Sequence, residues 1–475
     1  MTPAAGGTAR GRTEQDMLGT VTVPEQAYYG AHTARALTNF PISGETLAAR
    51  PHLIDALAAV KQAAASANVA VAALPEHIGS AIVAACEEIR GGGLHDQFVV
   101  DLVQGGAGTS TNMNANEVIA NRALELLGRP RGDYVAVHPL DHVNLGQSTN
   151  DVYPTAVKLA LDAHLRELLD ALARLREAFE GKAAEFADVL KVGRTQLQDA
   201  VPMTLGQEFG AFGVTLGEDE DRLSEARLLL HELNLGGTAI GTGLNARPGY
   251  REAAVARLRD ITGISTLVSA PDLVEATQDV GVFVQLSGVL KRTAVKVSKI
   301  CNDLRLLSSG PQGGFAEIEL PARQAGSSIM PGKVNPVIPE AINQIAFDII
   351  GNDVTVTLAA EGGQLQLNAF EPIIARALGA GLGNLTAGLR VLAEHCVVGI
   401  RARRDHLAAV VAGSTGLVTA LSPALGYETA CSIAVEAHRD GRPALDLVRE
   451  RTTLTEEQLA ALLAPDVLTG RRTAT

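Results

Sequence analysis

Tryptophan is missing from this 475-residue chain, and aromatic residues together make up only 3% of it. A core without large rings must be filled by Ala, Leu, Val and Ile, and the 46% hydrophobic content supplies them. Small side chains let helix axes approach closely, so the composition predicts a mostly α-helical chain. Cysteine is scarce as well: Cys86, Cys301, Cys396 and Cys431 stand far apart with no CxxC pair. That spacing argues against a disulfide framework and a thiolate metal site, and it predicts reduced thiols in a cytoplasmic setting. No metal site and no organic cofactor motif is expected.

Positive charge is in deficit. The 40 Lys and Arg against 53 Asp and Glu leave a formal charge of −13, which argues against nucleic acid or another polyanion as the main partner. An anionic small molecule would need a local site of its own. No apolar run approaches the roughly 18 residues of a membrane span, so no membrane association is expected. The first 13 residues lack the apolar block of a secretory signal and are expected to be a disordered arm.

What the chain does have is helical periodicity. Apolar residues recur at helical spacing from Leu53 to Ile89, broken near Pro75, which predicts two helices before Gly91-Gly92-Gly93. A loop-rich stretch is expected from Gly105 to Asn116, then a helix near Glu117 to Leu127. Beyond Pro154, suited to a first helical position, Leu161, Leu165, Leu168, Leu172, Leu175 and Phe179 follow a spacing of four and three. Run from Thr155 to about Leu190, such a helix would span roughly 50 Å at 1.5 Å per residue. Further long helices are predicted near Leu273 to Leu307 and Pro339 to Ala360. Rods of this length have faces pointing away from their own domain, which predicts self-association into a larger bundle. The expected division is an arm at 1–13, an N-terminal domain at 14–148, a central helical bundle at 149–404 and a small helical C-terminal domain at 405–475.

Four polar clusters interrupt the helices. Residues 326–336 read Gly-Ser-Ser-Ile-Met-Pro-Gly-Lys-Val-Asn-Pro, placing Ser327, Ser328, Lys333 and Asn335 on one glycine-bounded loop suited to handling a carboxylate. Gly105 to Asn114 combines glycines with Thr109, Thr111 and Asn112, whose donors also suit a carboxylate. Gln147-Ser148-Thr149-Asn150-Asp151 sits where it can cap the long helix, and free amides at a helix start also favour anions. Gly193 to Pro202 follows that helix and offers Thr195 and Gln196; taken alone it reads as a polar turn.

With its 326–335 segment matching GSSxMPxKxN at every defined position, the chain resembles the fumarase/aspartase superfamily of lyases. The other three clusters match superfamily motifs in order, and the resemblance runs from near Gly19 to Leu454-Thr455-Glu456-Glu457. Tyr28-Tyr29-Gly30, Val337-Ile338-Pro339-Glu340 and Gln364-Leu365-Gln366-Leu367-Asn368 look like aspartases. At Gln196 fumarases and some aspartases carry histidine while another group of aspartases carries glutamine, and an amide cannot relay a proton near neutral pH, which favours an amino-acid substrate. His138-Pro139, Val418-Thr419-Ala420-Leu421 and Gly426-Tyr427 have a fumarase flavour; His138 and His142 read as loop histidines without catalytic duty.

The resemblance implies an all-α, three-domain fold whose long helices form a 20-helix core in a homotetramer, each active site drawing on three subunits. It implies reversible elimination of ammonia from L-aspartate to give fumarate through an aci-carboxylate intermediate. Ser327 would be the base. Thr109, Ser148, Thr149 and Ser328 would grip the β-carboxylate, Lys333 and Asn335 the α-carboxylate, and Asn150, Thr195 and Gln196 would surround the amino group. Fumarate hydration, or a non-catalytic helical assembly protein of the same fold, are the alternatives.

Overall fold

The computed structural model describes residues 11–470. The fold is mostly helical, as the composition predicts, with only short two-stranded sheets. Five helices dominate: Thr149–Glu185, Leu205–Leu229, Gly281–Leu307, Val337–Glu361 and Glu371–His395. The chain divides into two compact units, one of residues 1–168, 222–292 and 348–384, the other of 169–221, 293–347 and 385–475. Every boundary between them falls inside one of the five long helices.

In the first unit the alanine-rich helix Pro51–Ala70 packs against Glu76–Arg90 and Tyr250–Thr262. Ala56, Ala59, Ala63 and Ala67 are buried there, since a methyl group lets the neighbouring backbone come close. In the second unit four of the scarce aromatics pack together. Phe179, Phe186, Phe209 and Phe212 form one cluster with ring centroids 5.4 to 5.9 Å apart. Residues 404–468 add short helices around Leu421, Ile433, Leu447 and Leu459. Among the described residues no single helix is long and apolar enough to cross a membrane. The bent pair Arg404–Gly413 and Gly416–Leu425 meets that test only jointly, and its Leu407, Val411, Leu417 and Leu421 are core residues.

The predicted apolar stripe is real: Leu161, Leu165, Leu168, Leu172, Leu175 and Phe179 are all buried. The helix boundaries differ. It starts at Thr149, so Pro154 lies inside it and cannot donate to the carbonyl of Asn150. Asn234 Nδ2 donates to that carbonyl instead, at 2.9 Å, and so the proline is tolerated. The helix stops at Glu185, short of the expected end near Leu190, and Leu190–Thr195 pairs with Gln198–Thr204 in an antiparallel hairpin around the turn that was expected there.

The stretch from Gly105 to Asn116 is loop only as far as Gly108; helix runs from Thr109 to Leu126. Asn114 and Asn116 lie buried in it although asparagine is a weak helix former. Hydrogen bonds to distant partners compensate: Asn114 accepts from Val99 N at 2.9 Å and donates to Gln97 O at 3.0 Å. Of the arm expected at 1–13, residues 1–10 lie outside the described residues. Gly11–Asp16 form a strand paired with Gly19–Pro24, so Gly11 to Thr13 are strand and not arm.

Candidate active site

The first unit gathers one polar cluster. Gly108, at φ +90°, turns the chain into the 109–126 helix, and a Cβ there would stand 2.5 Å from the Tyr153 ring. Only glycine permits that approach, and it brings the two helix starts together. Asn112, one turn beyond Thr109, donates to Thr149 Oγ1 at 3.0 Å and to Asn144 Oδ1 at 3.2 Å. Thr109 itself donates to Gly106 O at 2.7 Å and lines a cavity of about 720 Å³ with Arg35, Tyr134 and His138.

Ser148 and Asp151 cap the long helix reciprocally. Ser148 Oγ accepts from Asn150 N at 3.2 Å, and Asp151 Oδ1 accepts from Ser148 N at 2.9 Å. Asn150 Nδ2 donates to Ala239 O at 2.7 Å. Capping therefore occupies part of the hydrogen-bonding capacity of Ser148 and Asn150, while Thr149, nine-tenths buried, is held by Asn112.

Beneath these residues lie two buried charges. Lys61 Nζ donates to Asn144 Oδ1 at 2.8 Å and Gln147 Oε1 at 3.0 Å, so it ties down the segment that leads into the helix. Asp151 Oδ2 accepts from Gly236 N and Thr238 N, both at 3.0 Å. Burial pushes the Lys61 ammonium down to about 7, opposed by the charge of Asp151. Burial likewise pushes Asp151 up to about 6, opposed by the three backbone donors and Lys61. Lys61, Asn144 and Asn234 are absent from the residues singled out in the sequence. A lysine inside an otherwise apolar, alanine-rich helix was the one signal available for them.

The second unit carries the other predicted residues. Thr195 and Gln196 are exposed at the tip of the 190–204 hairpin. Gln196 and Leu197 form its two-residue turn at φ 54° and 62°, the left-handed region that side chains other than glycine seldom occupy. The hairpin is anchored at its base, where Lys191 pairs with Glu208 and, at 2.9 Å, with the fully buried Glu317; Arg194 also pairs with Glu317.

The 326–336 loop is held across its neck. Gly326 N donates to Lys333 O at 2.8 Å, and Asn335 Nδ2 donates to Gly326 O at 2.8 Å. A Cβ on Gly326 would lie 2.5 Å from Lys333 O, and Gly332 turns at φ +76°. Inside the loop Ser327 Oγ accepts from Ile329 N at 3.1 Å and Met330 N at 2.9 Å. Two backbone donors aimed at one hydroxyl oxygen favour negative charge on it. Ser328 and Lys333 are exposed, and Lys333 and Asn335 border a cavity of about 520 Å³ with Arg305 and Arg403, a cationic lining suited to a carboxylate. Asn335 thus spends its amide partly on the loop's own structure. Among the described residues no hydrogen bond joins the hairpin tip to this loop.

His138 and His142 serve local structure. His138 Nδ1 accepts from Leu140 N and Asp141 N, both at 3.1 Å, and His142 Nδ1 accepts from His138 N at 2.9 Å.

Residues 19–351 match the model of a lyase family, and residues 417–470 match that of the fumarase C C-terminus. The aspartate ammonia-lyase of Pseudomonas aeruginosa is 58% identical, over 98% of this chain and 98% of its own. That of Escherichia coli K12 is 51% identical over 94% of each. Among solved structures, a fumarate lyase:delta crystallin from Brucella melitensis, bound to cobalt, superposes with a TM-score of 0.94 at 55% identity, covering 97% of this chain and all of that one. A class II fumarase from Schistosoma mansoni reaches 0.91 at 36% identity, covering 98% of this chain and all of its own. The likeness to ammonia-lyases is thus the stronger one, in the direction that Gln196 indicates. The chain is a carbon–nitrogen lyase and belongs to the aspartate ammonia-lyases of the fumarase/aspartase superfamily.

Proposed function

We propose that the enzyme eliminates ammonia reversibly from L-aspartate to give fumarate, with Ser327 as the base. The observation that carries this reading is the pair of backbone N–H groups donating to Ser327 Oγ, within a loop that also bears Lys333 and Asn335. A serine alkoxide is ordinarily too costly to form, and preorganised donors together with exclusion of water lower that cost. Once its hydroxyl proton has passed to solvent, the Ser327 alkoxide takes the Cβ proton of aspartate, and the electron pair left behind spreads into the β-carboxylate as an aci-carboxylate dianion. Thr109, Ser148, Thr149 and Ser328 hold that dianion with donors that strengthen as charge develops. The pair then returns to form the Cα–Cβ double bond while the C–N bond breaks and the amine leaves from its protonated form as ammonia. Lys333 and Asn335 bind the α-carboxylate, and Asn150, Thr195 and Gln196 surround the amine.

The complete site assembles in a homotetramer. Support comes from the 337–361 helix, whose Phe347, Ile350, Val354 and Leu358 form one stripe, with Phe347 63% and Leu358 65% exposed. An apolar stripe of this kind calls for another surface to cover it. The four unpaired cysteines, three of them buried, support a reducing, cytoplasmic setting.

The test is fumarate absorbance from purified enzyme given L-aspartate and, in parallel, L-malate. Turnover of aspartate alone is expected; turnover of malate alone would make the enzyme a hydratase, and silence on both would point to larger succinyl adducts as substrate or to the non-catalytic alternative. Gln196→His is expected to impair ammonia release and shift preference away from the amino acid. An unchanged preference would remove Gln196 from substrate choice.

A further inference from the structure

We propose that His52, His164 and Glu167 form a divalent transition-metal site of the zinc type, which clamps the 51–70 helix to the 149–185 helix. His164 and Glu167 stand three residues apart on one face of the long helix, and His52 is the second residue of the shorter one. The His52 and His164 rings meet edge to face with centroids 4.4 Å apart, and His52 Nε2 lies 3.2 Å from Glu167 Oε1. One ligand atom from each of the three side chains falls within 4.8 Å of the other two. A tetrahedral ion at about 2.1 Å from each ligand needs those atoms roughly 3.4 Å apart, which small side-chain rotations can supply.

A second observation points to a ligand. His164 Nδ1 is buried and has no hydrogen-bond partner. A buried imidazole nitrogen left without one is unfavourable, and a metal ion would satisfy it. The same ring borders a pocket of about 30 Å³ walled by Leu53, Tyr153, Val157 and Leu161, while the fourth ligand of an ion would be a water from the solvent that the partly exposed His52 and Glu167 side chains reach. Arg50 and Arg376 also line this pocket, and both are countered by Glu45, at 3.2 and 2.8 Å. Two imidazoles and one carboxylate suit zinc, cobalt or nickel, whereas magnesium and calcium prefer all-oxygen sites.

His164 lies about four turns along the helix from Thr149, so the site is a brace and stands apart from the proposed chemistry. A metal there would fix the lie of the helix that begins at Thr149. No sequence motif announces it, because more than a hundred residues separate His52 from its two partners.

The test uses the untagged, chelator-treated, full-length enzyme titrated with cobalt(II) chloride, read by visible d–d absorption and by equilibrium dialysis. One tightly bound cobalt per chain is expected, with tetrahedral-type bands and a raised unfolding temperature. His52→Ala and His164→Ala are expected to lose that equivalent and the bands; Glu167→Gln, a conservative change at the surface, is expected to weaken binding at least tenfold. Absence of a stoichiometric cobalt in the wild type, or equal binding by Glu167→Gln and His164→Ala proteins that remain folded, would overturn the proposal.

Discussion

The polar cluster around Asp151 and the 326–336 loop both present hydroxyls and amides, yet they are built on opposite principles. Around Asp151 nearly everything is buried and fixed: its carboxylate accepts three backbone N–H groups, and Lys61 is held by two amide oxygens from the same segment. The loop is exposed over most of its length and is tied only across its neck. The comparison teaches where rigidity is needed. Donors that must stabilise developing charge do so best when already in place, whereas a base that must be reached by substrate and then shielded has to sit on a segment that can move.

Breaking the exposed side of this contrast should cost activity alone. Ser327→Ala is expected to lower kcat at least ~10³-fold, about 4 kcal/mol of barrier, while stability changes by less than ~0.5 kcal/mol. Steady-state assay and urea unfolding of the same preparation check both halves, and near-normal turnover would remove Ser327 as the base.

Breaking the buried side should unfold the site. Asp151→Ala orphans the backbone donors of Ser148, Gly236 and Thr238 and leaves Lys61 without its countercharge. A loss of about 3–5 kcal/mol is expected, measurable by urea unfolding. A loss below ~1 kcal/mol would mean that this cluster is not the rigid partner in the contrast.

A smaller effect sharpens the same point through pH. Burial lowers the Lys61 pKa from 10.5 to about 7, so between those values the unfolded chain holds a proton that the fold does not. Stability from this group is therefore complete above 10.5, and it is lost as pH falls through 7. Raising the pH from 7.5 to 9 should stabilise the wild type by at most about 1.4 kcal/mol per unit, and Lys61→Met should remove that slope. Urea midpoints of the two proteins at both pH values decide it; parallel slopes would place the lysine proton on the folded chain.

The loop and the long-helix stripe were legible because each is local. Leu161 to Phe179 repeat at a period that one helix face imposes, and Gly326, Ser327, Lys333 and Asn335 fall within ten residues. The start of the 109–126 helix was hidden because Gly, Thr and Asn together favour loops, and only tertiary hydrogen bonds such as Asn114 to Val99 and Gln97 make helix the better choice. Of the 190–204 hairpin the sequence offered the polar turn but not the strands on either side, whose pairing tightens that turn onto Gln196 and Leu197 in a conformation neither residue favours.

By itself the sequence determined the helical class, through aliphatic composition and 3.6-residue periodicity, and the kind of chemistry, through hydroxyl, amide and lysine groups crowded onto short glycine-bounded segments. Tertiary structure alone decided which polar groups are braced. Lys61 meets Asn144 across 83 residues of chain, and Asn234 meets the Asn150 carbonyl across 84. Local rules carry no information at such separations, because a buried polar group is satisfied by whatever donor or acceptor the folded chain brings within 3 Å of it.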